Sequence, residues 1–576
     1  MREDPRRRAF VLVAALFCCD VAAQVPRPPI EQLDRPLDTR ELRGLETLPR
    51  PGAPGLHLPP FAPAGEAASL LSSGTRVFVR QFRITGNSVF PDAELRSVVA
   101  PFENREIGNE DLEEIRYRLT RHYLDAGYIN SGAVIPDQTV AGGVITIRVV
   151  EGRLSGITIT GENRFHPDFI RDRISSNRDV PLNVNRLQER MQLLLQNPQI
   201  ERINAELAPG IRPGEGILTA NVKEAERFVF GAALANNSSP SVGGVRAELR
   251  GVARNNFGRG DALSLRMGHT SGVNDFSAGF ELPVSAEDTM LSLRYDRNRA
   301  LIVEAPFDSI DIRNKSEKVE VAVSHPFVRT LQRDVHLALS LSRRGSETFL
   351  LGEPYSFAPG VNNGRSAVSA VRLSADWLER RSERVVAARL SLSHGLDAFG
   401  STINGNGLPS SLFTSWLGQF QWAQRLVPGA GQVIFRADAQ RATGALLPME
   451  KIAIGGAESV RGYREIRFVG DHGWASSLEY RHPIARLSIP GLAGDRPEEG
   501  TLSLAAFIDA GRVWDTNSAG APETTLYGVG PGLRWDAGSG WYAQLYKGIA
   551  LTRLQETSHD LQDSGIHFRV SFQRAF

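Results

Sequence analysis

Apolar and polar residues alternate strictly at the C-terminal end of the chain. Apolar side chains stand at every second position from Ile566 to Phe572, polar ones stand between them from His567 to Gln573, and Phe576 ends the row. A period of two predicts a β-strand with one dry face and one wet face. Such a strand fits the closing strand of an outer-membrane β-barrel, but it also fits an edge strand of a soluble β-sandwich.

The same alternation runs through residues 226–576, where the helical period is absent. Residues Val335 to Leu341 are one example, and turn-rich stretches such as 404–409 separate the segments. Eleven strands are predicted before Gly444 and five after it, and an even total suits a single-chain bacterial barrel. Closure would also protect every strand edge. The pattern therefore predicts an all-β transmembrane barrel of about 16 antiparallel strands, the last sealing against the first near Phe228. The predicted strands start near residues 227, 244, 261, 274, 287, 315, 333, 366, 384, 414, 430, 472, 500, 524, 540 and 565.

A different pattern, with helical periods, occurs twice before the barrel. Ile84 to Gly86 with Phe90 recurs as Ile159 to Gly161 with Phe165, at a constant spacing of 75. A repeat at fixed offset indicates duplicated units. Each unit has the order β-α-α-β-β, which predicts a two-layer α+β fold. The predicted helices are 91–99 and 111–125 in the first unit and 167–174 and 184–195 in the second, and the predicted closing strands are 133–135, 144–150, 200–207 and 216–222.

The first 23 residues have the pattern of a secretory signal peptide. Arg6 to Arg8 are basic, Ala9 to Cys19 are apolar, and Ala23 suits cleavage before Gln24. A lipoprotein signal using one of the two cysteines is the alternative. Both cysteines lie within this segment, so the mature chain needs no disulfide or thiolate metal site.

Residues 24–74 form a Pro-rich leader and linker that cannot bury enough apolar surface to form a core. Residues Ile30 to Glu46 could form a short helix, although Pro36 interrupts it.

The amino-acid composition and motif content exclude several classes of protein. A mean hydropathy of -0.22 excludes a helical membrane protein, and a net charge of +1 gives no reason to expect nucleic acid as a partner. The eleven histidines are scattered without metal-ligand spacing, and no Gly-Lys-Ser/Thr phosphate loop is present. Gly528 to Gly532 depart from the dinucleotide pattern, and we predict a turn between strands there. The sequence thus predicts no enzyme, no cofactor and no metal site.

A long loop and a later strand carry the most specific signal. The loop, 444–470, contains Val460-Arg461-Gly462-Tyr463 and interrupts the strand pattern. In the strand from 501 to 511, alternation points Asp509 and Phe507 into the lumen and Ile508 toward lipid. A buried carboxylate needs a cation nearby, so Arg461 is a candidate partner for Asp509. Two alternatives remain: Asp509 lines a wet pore unpaired, or Glu479 is the partner of Arg461.

These features together resemble the POTRA-barrel superfamily of outer-membrane assembly and secretion proteins. The resemblance rests on Val460 to Tyr463, on the Phe507-x-Asp509-x-Gly511 strand, on the tandem repeat and on terminal Phe576. Two repeat units and a Pro-rich leader are similar to its two-partner-secretion branch, the hemolysin and filamentous-haemagglutinin secretion/activation transporters. The resemblance covers essentially the whole mature chain.

The resemblance implies a function and a cellular location. POTRA 1 (75–152) and POTRA 2 (153–225) would lie in the periplasm and bind the unfolded amino-terminal secretion domain of an exoprotein, adhesin-like or hemolysin-like. The exoprotein would then cross the outer membrane through the pore without ATP. The helix at 30–46 would plug the barrel at rest.

It also implies roles for individual residues. Arg461, at the tip of the inward loop, would bond Asp509 and hold the loop in place. Phe576 would be part of the signal that the barrel-assembly machinery recognises. The exoprotein would add a strand at an exposed edge of POTRA 2. The residues expected there are Ile200, Arg202, Ile203, Ala205 and Leu207.

Two other functions remain open at this point. A barrel-assembly factor of the same superfamily usually carries more POTRA units than two. A passive diffusion porin would not explain the repeats at all.

Overall fold

A computed structural model describes most of the chain beyond the leader. The described residues are 76–161, 164–175, 181–426, 431–487, 499–516, 524–554 and 559–576. The predicted signal peptide (1–23), the leader and the predicted helix at 30–46 lie outside them. None of the helices in the described ranges is long and apolar enough to cross a membrane.

The first repeat unit is a two-layer α+β fold. Strand β2 pairs in parallel with β5, which pairs antiparallel with β4, while β1 and β3 form a separate short ladder that the sequence pattern did not predict. Two helices cover the sheet, and Phe82, Leu95, Ile115 and Tyr123 are fully buried between the layers. The elements are β1 (Val77–Val79), β2 (Gln81–Thr85), α1 (Asp92–Val99), β3 (Arg105–Ile107), α2 (Asn109–Asp125), β4 (Gly132–Val134) and β5 (Val144–Val150).

The second unit repeats this layout. Its sheet order is β6-β8-β7, so β7 lies at an edge, and both helices have the predicted bounds. Asn183 caps the second helix by accepting from the backbone N–H groups of Asn185 and Arg186. The elements are β6 (Arg153–Thr160), α3 (Pro167–Ile174), α4 (Val184–Leu195), β7 (Ile200–Pro209) and β8 (Glu215–Glu224).

A close backbone approach explains why glycine recurs in both units. Gly86 has φ +83°, and a Cβ there would lie 2.4 Å from the carbonyl oxygen of Val149. Gly161 has φ +113°, and its Cβ would lie 2.4 Å from the carbonyl oxygen of Val222. Only glycine fits either position without moving the backbone.

A carboxylate fastens the turn that follows the first strand of each unit. In the first unit, Glu151 accepts from the backbone N–H of Ser88 at 2.7 Å and from the Tyr123 hydroxyl at 2.9 Å. Burial alone would raise the pKa of Glu151, but the hydrogen bonds from Ser88 and Tyr123 outweigh it and lower that pKa. In the second unit, Glu224 accepts from the backbone N–H of Phe165 at 2.8 Å.

The rest of the described chain is a closed antiparallel barrel, as predicted. Eighteen strand segments form the ring; two of them, β16 and β27, are two residues long, so sixteen longer strands make up the barrel wall. Each of these sixteen strands begins within three residues of its predicted start. The ring consists of β9 (Phe228–Ala235), β10 (Arg246–Arg254), β11 (Ala262–His269), β12 (Val273–Pro283), β13 (Met290–Leu301), β14 (Ile312–Arg329), β15 (Arg333–Leu350), β16 (Glu353–Pro354), β17 (Arg365–Arg380), β18 (Arg384–Leu396), β19 (Thr414–Arg425), β20 (Gln432–Ala442), β23 (His472–Arg486), β24 (Thr501–Trp514), β25 (Thr524–Gly538), β26 (Trp541–Lys547), β27 (Ile549–Ala550) and β28 (Ile566–Ala575); β21 (Ile452–Ile454) and β22 (Phe468–Gly470) form a hairpin in the long loop.

The barrel closes where β28 pairs with β9. Phe228 and Phe576 exchange both backbone hydrogen bonds, at 3.1 and 2.8 Å. At the other end the side chain of Asn236 continues the ladder, donating to the carbonyl of Ile566 and accepting from the N–H of Phe568, each at 2.7 Å. The seam is therefore paired along its whole length.

The second repeat unit is docked on the turns at one end of the barrel. Arg173 donates from Nε to Asp288 at 2.9 Å and from Nη2 to the carbonyl of Ser285 at 2.9 Å, both in the β12–β13 turn. Gln199 donates to the carbonyl of Gly260, in the β10–β11 turn, at 2.9 Å. These contacts define a near end of the barrel, and the long loop 444–470 leaves from the far end.

Candidate functional site

The long loop folds into the barrel and places its tetrapeptide against the inner wall. Positive φ values at Gly455 (+103°) and Gly456 (+97°) turn the chain after β21. Val460 and Tyr463 are buried, at 0% and 4% exposure, in an apolar cluster with Ile454 and residues of the wall. We call residues 455–467 the loop tip.

Arg461 makes a bidentate ion pair with Asp509 on β24. Its Nε lies 2.8 Å from Oδ2 and its Nη2 lies 2.8 Å from Oδ1. The backbone N–H of Arg461 also donates to Oδ2 at 2.9 Å. The exposed fractions of Arg461 and Asp509 are 4% and 1%, so both charges are removed from water. The planar guanidinium matches the carboxylate with two parallel hydrogen bonds, which makes the geometry specific.

Further groups complete the environment of this guanidinium. Nη1 pairs with Glu479 on β23, and Nη2 donates to the Ser477 hydroxyl at 2.9 Å. The ring centroids of Phe507 and Tyr546 lie 3.6 and 4.8 Å from the guanidinium carbon, within the range of a cation–π contact. The two partners that the sequence left as alternatives thus both bind Arg461.

The inner wall under the loop tip is made of glycines. A Cβ at Gly528 would lie 2.0 Å from the carbonyl oxygen of Arg461, and one at Gly548 would lie 2.2 Å from the backbone nitrogen of Gly462. At Gly511 a Cβ would lie 2.9 Å from the Val460 side chain. Gly511, Gly528 and Gly548, which we call the glycine floor, therefore let the backbone and the Val460 side chain of the loop tip approach the wall closely.

The prediction of a turn at Gly528 to Gly532 was wrong. These residues lie in the middle of β25. Glycine is common in turns, and the sequence does not show that a loop distant along the chain packs against this strand. Alternate glycines within a strand-length segment are the signal that could have indicated a close backbone approach.

Two other residues of the tip are fixed by neighbouring strands. The Tyr463 hydroxyl donates to the carbonyl of Tyr527 at 2.8 Å and accepts from the N–H of Thr552 at 2.9 Å. The N–H of Gly462 lies 3.3 Å from Nε2 of His567, which stands on the predicted polar face of β28. Each residue of the tetrapeptide therefore contacts the wall.

A second attachment lies toward the far end of the barrel, and the sequence analysis missed it. Arg464 pairs with Asp563 in the β27–β28 loop, at 2.7 Å from Nη2 to Oδ2, and with Glu304 in the β13–β14 loop, at 2.8 Å from Nη1 to Oε1. The N–H of Glu465 donates to Gln562 at 2.8 Å. Only its position next to the tetrapeptide could have drawn attention to Arg464.

The lumen beside the loop holds a cavity of about 970 Å³ with a mixed polar and apolar lining. Side chains of β9 to β15, β17 to β20 and β28 line it together with residues of the loop itself, whereas the carboxylates that bind Arg461 stand on β23 and β24. Ten serines are among the lining residues, so much of the surface is small and polar. Charged residues of both signs, including Arg294, Glu320 and Asp376, complete it.

The predicted substrate strand lies where expected, but most of its named side chains face inward. Ile200, Ile203 and Ala205 are buried at 5%, 2% and 7% exposure in the core of the second unit. Leu207 is half-buried, and Arg202 is exposed. Recognition at this edge would therefore use the backbone of β7 more than these side chains.

Comparison with known proteins places the chain in a family. The model of the haemolysin secretion/activation protein family, ShlB/FhaC/HecB, matches residues 214–535, which is more than half of the chain. The chain belongs to this family. A model of the ShlB-type POTRA domain matches residues 77–152. The chain is accordingly an outer-membrane transporter of two-partner secretion, with its POTRA units in the periplasm, and the sequence-based assignment is confirmed.

Relatives of this family resemble the chain over most of its length. The outer membrane transporter CdiB of Dickeya dadantii is 21% identical over 479 residues, which cover 81% of each chain. CdiB of Escherichia coli O6:K15:H31 is 23% identical over 487 residues, covering 80% of this chain and 76% of the relative.

Solved structures share the fold. CdiB from Escherichia coli matches with a TM-score of 0.66 at 20% identity, covering 93% of this chain and 95% of that one. BamA from Haemophilus ducreyi lacking POTRA domains 1–3 matches with a TM-score of 0.53 at 14% identity, covering 86% of this chain and 100% of that one. The family assignment favours a transporter over an assembly factor. The near end of the barrel is therefore periplasmic, and the far end faces the cell exterior.

Proposed function

We propose that this transporter recruits an unfolded exoprotein at POTRA 2 and conducts it through the lumen, and that the Arg461–Asp509 ion pair sets the resting position of the pore loop. The observation that carries the proposal is the bidentate pair between the loop tip and the inner wall, with Nε–Oδ2 and Nη2–Oδ1 both at 2.8 Å. Because the pair is buried, the loop cannot leave the wall without separating two charges whose pairing offsets their loss of water.

Differences between the sheet edges of the two POTRA units support POTRA 2 as the recruiting unit. In POTRA 1 the N–H of Phe82 on edge strand β2 is occupied by Glu103 at 2.8 Å. Beyond β4, the side-chain amide of Gln138 takes both backbone groups of Thr146, each at 2.8 Å. In POTRA 2, by contrast, β7 offers a ten-residue edge. An extended segment of the exoprotein, from its amino-terminal secretion domain, would add there as a strand.

The small, polar wall of the lumen supports conduction of an extended chain. Serine side chains offer hydrogen bonds without the deep apolar pockets that would retain a sliding segment. The periplasm supplies no ATP, so the free energy would come from exoprotein binding and from its folding outside the cell. No enzymatic step and no cofactor enters this scheme.

Two parts of the proposal concern other regions of the chain. A helix at 30–46, outside the described residues, would plug the barrel at rest. Phe576, whose N–H and C=O both pair with Phe228, would first serve as part of the signal read by the barrel-assembly machinery.

The test is export of the exoprotein by Arg461→Ala. We expect export to fall sharply while the barrel still inserts, which heat-modifiable electrophoretic mobility would verify. Arg389→Ala is the matched control, since Arg389 is a lumenal arginine paired with Asp376 on another part of the wall. Unchanged export by an inserted Arg461→Ala barrel would contradict the role given to the pore loop.

A further inference from the structure

A carboxylate stands on the lipid-facing side of the barrel near its periplasmic end. Along β17, Arg372 and Ser374 line the lumenal cavity, whereas Leu373 and Trp377 are exposed on the outer wall at 48% and 37%. Glu379 has the same parity as Leu373 and Trp377, so it belongs to the outer wall. An outward carboxylate next to the lipid band is costly unless cations surround it.

Three arginines surround Glu379. Arg381 Nε lies 2.7 Å from its Oε1, Arg384 Nη2 lies 3.2 Å from Oε1, and Arg333 Nη2 lies 3.7 Å from Oε2. The Glu379 side chain is only 10% exposed, whereas those of Arg381, Arg333 and Arg384 are 63%, 56% and 37% exposed. Glu383 in the same turn pairs with Arg425 at 3.9 Å, so the cluster presents two positive charges beyond the one that Glu379 balances. We call Glu379 and its three arginines the rim cluster.

The position of the rim cluster corresponds to the lipid headgroups of the periplasmic leaflet. Its arginines flank the β14–β15 and β17–β18 turns. Arg329, at the first of these turns, contacts Asp288, which also binds Arg173 of POTRA 2. Trp377, two residues above Glu379, faces lipid as aromatic residues do at membrane interfaces.

We propose that the rim cluster binds the headgroup of an anionic phospholipid of the cardiolipin class, which carries two phosphodiesters. Two phosphodiester charges balance the two positive charges beyond the one that Glu379 balances. Arginine binds phosphate oxygens with paired hydrogen bonds, and Glu379 orients the three side chains toward one another. Phosphatidylglycerol would neutralise only one of the two charges, and the ammonium group of phosphatidylethanolamine would be repelled.

The opposite end of the same strand offers a matched control. Arg365 pairs with Glu347 at 3.1 Å, and its side chain is 73% exposed. This outward pair has one charge of each sign, so it should not select an anionic lipid.

The experiment measures lipid retention by the full-length transporter in nanodiscs of phosphatidylethanolamine alone, or with phosphatidylglycerol or cardiolipin at equal phosphate. Native mass spectrometry counts bound lipid, and the unfolding temperature is measured in parallel. Cardiolipin should be retained and should raise the unfolding temperature more than phosphatidylglycerol does. Arg381→Gln with Arg384→Gln should weaken cardiolipin binding about thirtyfold, while Arg365→Gln should not change it.

Two results would overturn the proposal. One is equal retention of cardiolipin by the double variant and the native chain. The other is equal retention of cardiolipin and phosphatidylglycerol at matched phosphate. If the double variant does not insert into the membrane, lipid binding is measured with the single variant Arg381→Gln instead, because that side chain is the most exposed of the three. It should weaken cardiolipin binding about fivefold.

Discussion

Replacing Asp509 by asparagine tests the attachment of the pore loop most directly. The carboxylate accepts three hydrogen bonds from Arg461, at 2.8, 2.8 and 2.9 Å. Asparagine keeps one oxygen and turns an NH₂ group toward at least one of these donors. The substitution preserves side-chain volume, so its effect isolates the charge and the acceptors from packing.

The expected size follows from burial and from the remaining partners. Removing one partner of a buried ion pair costs about 3–5 kcal/mol. Glu479 still pairs with Arg461, but it is shared with Arg481, so the loss should be at least about 3 kcal/mol. Because each 1.4 kcal/mol changes an equilibrium tenfold, the docked loop should become less favoured on the order of 100-fold.

Single-channel recording in planar bilayers measures this equilibrium as the time spent in open states. Asp509→Asn should prolong open states strongly, whereas Asp376→Asn, at a lumenal carboxylate paired with Arg389, should leave them near the native level. A change in open time below about threefold for Asp509→Asn would refute the reasoning, since it corresponds to less than about 1 kcal/mol.

Three more predictions follow from other contacts. Gly528→Val should undock the loop tip and raise open time, because its Cβ would lie 2.0 Å from a tip carbonyl; Gly418→Val, with open space around its Cβ, is the control in the same recordings. Glu151→Gln should destabilise POTRA 1 by about 1–3 kcal/mol, measured by hydrogen exchange in the full chain. Because the pKa of Glu151 is lowered from 4.5 in the folded unit, its contribution is present above pH 4.5 and is lost as the pH falls through the folded value, a loss that the glutamine variant should not show. Arg464→Gln should prolong open states, because the neutral side chain loses its ion pairs with Asp563 and Glu304; open times equal to those of the native chain would contradict the ionic attachment.

Most of the fold could be predicted from the period of apolar residues, because side-chain burial follows that period closely. On β24, Leu504 and Ile508 are 49% and 55% exposed to lipid while Phe507 and Asp509 are at 5% and 1%. The period of two in the sequence predicted that alternation. The helix of POTRA 2 that begins at Val184 was legible for the same reason, with a period of 3.6.

The contacts that sequence reasoning missed join residues far apart along the chain. Gly528 touches the Arg461 carbonyl across 67 positions, and Arg464 reaches Asp563 across 99. Glycine and arginine are both ordinary residue types in these local segments. Local propensity therefore predicted a turn at Gly528, which was wrong, and predicted no contact for Arg464. Three-residue strands such as β1 are too short for a period to be recognised.

The seam between β9 and β28 has a consequence for how the barrel forms. Phe228 and Phe576 are separated by on the order of 350 residues, and closing such a loop costs roughly 5 kcal/mol of chain entropy before any seam hydrogen bond forms. Hairpins between adjacent strands carry no such cost, so they should assemble first, and the seam should form last. Until then both terminal strands expose unpaired edges that invite pairing with other chains. The slowest step of biogenesis should therefore be the meeting of these two strands, and substitutions at Asn236, which extends their ladder, should slow that step before they affect transport.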